Sequence, residues 1–187
     1  AVCDRVAYLD DCNWNSADTV IRDDNPAHVR AIRRAVLGGG PARAGSLALR
    51  KDVALKGEAK VIAHAAREAD VETETLGASV VSGALRRLAK AGVHCRLLVS
   101  QWCADDDLGR KRIASLEKDG VQVRAVKSGE KLAVAGNRAW AGSANATSSF
   151  KKCNYIDWGL STRDPRIVRD LHARFTEHWN EATPVEP

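Results

Sequence analysis

Helices alternating with short strands, the helices repeatedly closed by glycine, predict an α/β fold: a mixed β-sheet with helices packed on its faces. Two observations set up the layers. A helical pattern over 80–91 ends at Gly92 and runs straight into the strand-like segment 93–100, and a second over 107–119 ends at Gly120 and runs into a strand over 121–126. A third shows that the sheet is not purely parallel: two closely spaced apolar segments, about 131–135 and 138–141, flank Gly136-Asn137 as in a hairpin. At 187 residues the chain is one domain, or one and a half, with length enough for a real core.

In chain order, Val6–Leu9 reads as a short strand. Asn25 then caps a helix whose first residue is Pro26, with Val29, Ile32, Ala35 and Val36 on its apolar face. Gly38-Gly39-Gly40-Pro41 ends it, and the stretch through Ser46 reads as a linker. Residues 47–69 are expected to form one long amphipathic helix carrying Leu47, Val53, Leu55, Val61 and Ile62, followed by a strand over 71–75. Beyond the hairpin, a strand is expected near 155–161, and Asp164-Pro165 opens a last helix to about Asn180.

Composition narrows the function classes. Hydrophobic residues make up 44% and charged residues 28%, an ordinary balance for a globular protein. No run approaches the roughly 18 apolar residues that cross a bilayer, and the first residues lack the basic start and apolar stretch of a signal peptide. The net charge of +5 suits anionic partners such as phosphodiesters, nucleic acid or acidic lipid headgroups; a basic solvated surface explains it equally well. Five scattered cysteines have no metal-ligand spacing, which argues against zinc. Their odd count, and the interior-looking settings of Cys3 and Cys95, favour free thiols in a reducing compartment and so a cytoplasmic location.

An internal repeat stands out. Residues 1–13 match residues 133–145 without gaps, with Ala1/Ala133, Val2/Val134, Ala7/Ala139 and Asn13/Asn145 identical and Tyr8 opposite Trp140. After each segment come an aspartate (Asp18, Asp157), an Arg-Asp pair and a proline that starts a helix. Chance similarity between two Ala/Val-rich hairpins is the alternative; the shared order of landmarks favours a duplication, at a spacing far beyond any solenoid repeat.

Lys131, four residues, Gly136, then Gly142-Ser143-Ala144-Asn145 resembles the HKD signature of the phospholipase D superfamily: His-x-Lys, four residues, Asp, then Gly-Ser-x-x-Asn or a close variant. The run 154–160 resembles the stretch that follows in that family, and Glu72 and Glu74 lie where its second half opens. The resemblance implies residues 1–46 as the tail of a first half plus linker, and 47–187 as a second half-domain. It implies a phosphodiester substrate, of phospholipid or nucleic-acid type, with a phosphohistidine intermediate, a second histidine as general acid and no cofactor or metal. Lys131, Asn145 and Asp157 would be the catalytic set. Lys131, Ser143, Asn145 and, from the first half, Asn13 would hold the phosphate. Asp4, Asn13 and Asp18 would be the first half's motif residues. Asp157 and Asp18 resemble the acids that orient the imidazoles. Residue by residue, other readings stay open: Lys131 as a surface lysine, Ser143 and Asn145 as turn caps, Asp18 and Asp157 as loop acids paired with Arg22 and Arg163, Asp4 as a turn residue, and Trp14, Trp140 and Trp158 as core.

The motif histidine should stand two residues before Lys131, where the sequence has Gly129; the first half's counterpart would lie before Ala1. None of His28, His64, His94, His172 and His178 has motif context, and Ser128 and Glu130 are poor substitutes. The expectation is a phosphodiesterase or phosphatidyltransferase, cardiolipin synthase-like in type, inactive as this chain alone. Its site would be completed by a homodimer or a missing N-terminal half. The alternatives are a phosphate-binding pseudoenzyme, or a nuclease using the basic cluster Arg86, Arg87, Lys90, Arg110, Lys111 and Arg112.

Overall fold

A computed structural model describes residues 1–11, 19–148 and 157–185. Among the described residues, twelve strands and six helices follow one another. They run β1 (Val2–Cys3), β2 (Val6–Asp10), β3 (Val20–Asp23), α1 (Pro26–Val36), β4 (Arg43–Ala44), β5 (Leu47–Ala48), α2 (Lys51–Ile62), β6 (Glu68–Thr73) and α3 (Val80–Lys90). Then come β7 (His94–Ser100), α4 (Gln101–Asp105), α5 (Asp107–Lys118), β8 (Gln122–Val126), β9 (Leu132–Ala135), β10 (Arg138–Gly142), β11 (Gly159–Thr162), α6 (Pro165–Glu181) and β12 (Thr183–Pro184).

Nine strands form the main sheet in the order β12-β8-β7-β6-β9-β10-β11-β5-β4, and β1-β2-β3 form a small antiparallel sheet. Among the described residues only β6-β7 and β7-β8 pair in parallel, each joined by a helical crossover, so the sheet is mixed as expected. Strand β6 is buried along nearly its whole length because both faces of the sheet are covered. On one face α2, α3 and α5 enclose a core with Leu55, Ile62, Val71, Leu85, Leu97, Ile113 and Trp140. On the other, α6 and the N-terminal unit β2-α1 enclose a second core with Leu9, Ile32, Leu98, Leu132, Phe175 and Trp179.

Boundaries expected from sequence hold for α1, α3, α5, the hairpin and the last helix to within a residue or two. The long helix over 47–69 does not form. Leu47–Ala48 instead pairs as a short strand between Leu160–Gly159 and the edge strand Arg43–Ala44, α2 starts at Lys51, and residues from Glu68 already belong to β6. Pairing on both sides, which buries Leu47 and Ala48 alike, outweighs helical periodicity there. Cys3 is exposed, not interior; Cys95 and Cys103 are buried, and all three are free thiols.

The repeat has a structural counterpart. The hairpin β1-β2 pairs Val2 with Ala7 and Cys3 with Val6; β9-β10 pairs Val134 with Ala139 and Ala135 with Arg138, the same register displaced by the sequence offset. The turn residues Asp4 and Gly136 both have left-handed backbone, at φ 46° and 58°. In the next strand Asp23 and Thr162 occupy matching positions, and each accepts a backbone N–H two residues on, from Asn25 and Asp164. Those two residues are the side-chain N-caps of α1 and α6.

Trp140, fully buried, fixes how closely β10, β11 and α2 approach. A Cβ on Gly159 would lie 2.5 Å from its Nε1, with further ring atoms inside 3 Å. Gly159→Ala is therefore expected to lower stability by about 1–3 kcal/mol through overpacking, read as a drop in the thermal midpoint relative to Gly39→Ala, where the added carbon meets only the Arg34 carbonyl at 3.9 Å.

Candidate functional site

The hairpin β9-β10 carries the motif residues to one end of the sheet. Lys131 directly precedes β9, and Ser143 and Asn145 follow β10. Pairing of β6 with β9 places Glu72 opposite Leu132, which brings the end of β6 beside Lys131. Thr73, Glu74 and Thr75 therefore wall the site, although they lie far from it in sequence.

Lys131 is not a surface lysine: its side chain is 3% exposed. Its ammonium donates to the Gly129 carbonyl and lies 3.3 Å from Glu74 Oε2. Asn145 Nδ2 donates to that same oxygen at 3.1 Å. The other side of the Asn145 amide is fixed, because its Oδ1 accepts from Thr75 N at 2.9 Å. Thr73 Oγ1 accepts from Ala146 N, so the loop after β10 is laced to the end of β6. Ser143 Oγ donates to Asp157 Oδ1 and accepts from Trp158 N, both at 3.1 Å. Asp157 is thus held by the motif serine and is not a loop acid paired with Arg163. Burial pushes its carboxyl up, opposed by the Ser143 hydrogen bond and by Lys51 and Lys131. Lys51, at the start of α2, donates to Thr147 Oγ1 at 2.7 Å and adds a second ammonium nearby.

The first copy of the repeat reaches this site. Trp158 Nε1 donates to the Asp10 carbonyl, and Asp11 Oδ2 accepts from Lys131 N at 3.2 Å. Asp11 Oδ1 accepts from Thr19 N at 3.1 Å, the same bond that Ser143 makes with Trp158 N. Asp11 is therefore the structural counterpart of Ser143. Buried, and close to the Glu130 carboxylate, it has its pKa pushed up to about 7. A carboxyl whose folded pKa is raised favours the protonated form, so folding loses stability as pH rises from the unfolded value near 4 through about 7. Asp11→Asn removes that titration. The expected result is a shallower fall in thermal midpoint between pH 4.5 and 8 than in the parent chain, measured by calorimetry.

Of the other first-copy residues, Asp4 is exposed at its hairpin turn and stays away from the site, its carbonyl accepting from Arg33. Asn13 and Asp18 lie outside the described residues, as do Trp14 and residues 154–156. Arg22 pairs with Asp24. Trp140 and Trp158 are core residues.

The histidines are engaged elsewhere. His28 pairs with Asp23, His64 with the Lys60 carbonyl, and His94 with Glu68, while His172 lies 3.5 Å from Asp70. His178 bonds Glu72 at 2.9 Å beneath the sheet, and that contact raises its pKa. Glu72, Glu130 and His178, and likewise Glu68, Asp70 and His172, bring ligand-type atoms within 4.8 Å of one another among the described residues. Their charges are already matched by Arg174 on Glu130, by His178 on Glu72 and by Arg96 on Asp70.

Comparison with known proteins bears on the family and the fold. The family profile described as "Cardiolipin synthase, PLD-like domain" matches residues 59–179. No curated protein sequence matches. Among solved structures, the phospholipase D family member Nuc from Salmonella typhimurium superposes with a TM-score of 0.62 at 15% identity, over 69% of this chain and 88% of its own. NucT from Helicobacter pylori gives 0.62 at 16% identity, over 74% and 97%. The archaeal chromatin protein TrmBL2, which shows a novel mode of DNA binding, gives 0.56 at 12%, over 74% and 53%. At these identities the likeness is one of fold.

Proposed function

Because the chain belongs to the phospholipase D-like family, we propose that it is the phosphoryl-binding part of a phosphodiester-processing protein with a phospholipid-type substrate, and that this chain alone binds without turnover. One observation carries the proposal: a buried ammonium and a fixed side-chain amide converge on a single oxyanion, Glu74 Oε2. A carboxylate oxygen and a phosphoryl oxygen accept in the same way, so donors preorganised for one suit the other. Ser143 adds a third donor, a hydroxyl that bonds Asp157.

In this reading residues 1–46 are the tail of a first half and 47–187 a second half. The matched hairpin registers and the contacts from Asp10 and Asp11 support it. Asp157 keeps the place of an imidazole-orienting acid. At position 129, however, glycine supplies neither a nucleophile for phosphorus nor a proton for the leaving oxygen. A second copy of this chain repeats Gly129, so turnover would need histidines brought by a separate N-terminal half.

Two findings favour lipid over nucleic acid. The matching family profile is of cardiolipin synthase type. The basic cluster is also largely occupied within the protein: Arg86 and Lys90 grip Asp119, Arg110 pairs with Asp107, and Arg112 donates to the Leu76 carbonyl. No described helix is long and apolar enough to cross a membrane; a cytoplasmic site of action is part of the proposal. The test is a paired assay on the whole chain. Calorimetry should show binding of a soluble phosphodiester, and bis(p-nitrophenyl) phosphate should not be hydrolysed. Turnover lost on changing Ser128 or Glu130 would overturn the non-catalytic reading.

A further inference from the structure

The donors of the phosphoryl pocket are engaged by an acid of the protein itself. Lys131 is 3% exposed, whereas Glu74, which shares an oxygen between Lys131 and Asn145, is 41% exposed. A ligand coming from solvent to the buried ammonium therefore arrives where the Glu74 carboxylate stands. Displacement would not carry Glu74 far. Its backbone carbonyl is held by Ser100 Oγ at 2.7 Å and by Ser100 N at 3.4 Å. Thr73 and Thr75 on either side are tied to the loop after β10. The carboxylate thus stays within one side-chain length of whatever replaces it.

Charge then decides which phosphodiesters fit. Lys131, with Lys51 behind it, matches one phosphoryl anion, and Asp157 also draws on both lysines. Once the phosphoryl group takes Lys131 and Asn145, Glu74 is an unmatched carboxylate beside a second anion. An ester substituent bearing an ammonium removes the conflict, since it can pair with the displaced carboxylate while the phosphoryl group pairs with Lys131. An uncharged alcohol substituent cannot. Resting on the phosphoryl-binding reading above, we infer that Glu74 is a specificity-determining residue that selects phosphodiesters carrying an aminoalkyl group.

The experiment compares glycerophosphoethanolamine with glycerophosphoglycerol by calorimetry, using the full chain and its Glu74→Gln variant, with the N-acetylated ethanolamine diester as a control made on the ligand. The parent chain is expected to bind the amine-bearing diester about tenfold more tightly than either other diester. In Glu74→Gln the preference should vanish and glycerophosphoglycerol should bind more tightly than it does to the parent. Equal affinities in the parent, or a preference that survives in Glu74→Gln, would overturn the role of Glu74. Binding of neither diester would instead remove the phosphoryl-site reading beneath it. The comparison of the acetylated and free amine on the parent chain decides the matter even if the variant does not fold. Displacement of the soluble diester by phosphatidylethanolamine-rich vesicles assigns the site to a lipid headgroup; without displacement it belongs to the free diester.

Discussion

Lys131→Ala is expected to weaken binding of a soluble phosphodiester by about 100-fold, roughly 3 kcal/mol, while leaving the chain folded. The ammonium is buried and makes a charge-assisted contact in a partly dehydrated setting, where one such bond is worth more than at the surface. Its loss leaves Lys51, engaged with Thr147, as the nearby cation, so the ligand's charge is poorly matched beside Asn145 and Ser143. Folding should survive because the carboxylate left behind, Glu74, is 41% exposed and can turn to water. Lys131→Met, which keeps the length of the aliphatic stem, should lose binding equally. A methionine variant that retains binding would mean that the lysine acts by packing. Calorimetric titration, with a thermal melt of each variant as the folding control, reads both.

The second large effect concerns stability. Glu58 sits in the middle of α2, 1% exposed, with its Oε2 lacking a hydrogen-bond partner. Burial pushes its pKa well above the usual carboxylate value, with no compensating charge. A raised carboxyl pKa costs stability progressively above the unfolded value near 4.5, because ionisation is available to the unfolded chain and denied to the folded one. Glu58→Leu removes that cost and fills the same side of α2 with apolar volume. The expected gain is about 2–3 kcal/mol at pH 8, shrinking toward pH 4, where the glutamic acid is protonated in both states. Denaturant melts at the two pH values check this. A gain that does not grow with pH would place the cost of Glu58 in packing, not in its charge.

Much of the fold was legible because its local signals agreed. Asn25-Pro26 and Asp164-Pro165 set two helix starts, and Gly136 set the hairpin and its register. The short strand at Leu47–Ala48 was not legible, since two apolar residues gain strand character only from the neighbours they pair with. The site divided in the same way. Lys131, Ser143 and Asn145 follow from a contiguous motif. Glu74 depends on β6 lying next to β9, and Asp11 on the first hairpin crossing to Lys131. Asp11 did have a sequence signal, because it stands opposite Ser143 in the repeat. A carboxylate in place of a hydroxyl reads as a departure from the motif until Thr19 N is seen donating to it as Trp158 N donates to Ser143.

The central claim is that Lys131 and Asn145 form a phosphoryl-binding pocket. Titration of the isotopically labelled chain with dimethyl phosphate, followed by proton–nitrogen correlation spectra, tests it most directly. The account predicts saturable shifts at the backbone amides of Thr75, Lys131 and Ala146 and at the Asn145 side-chain amide. Shifts confined to the exposed arginines of α1 and α3, or none that saturate, would contradict it.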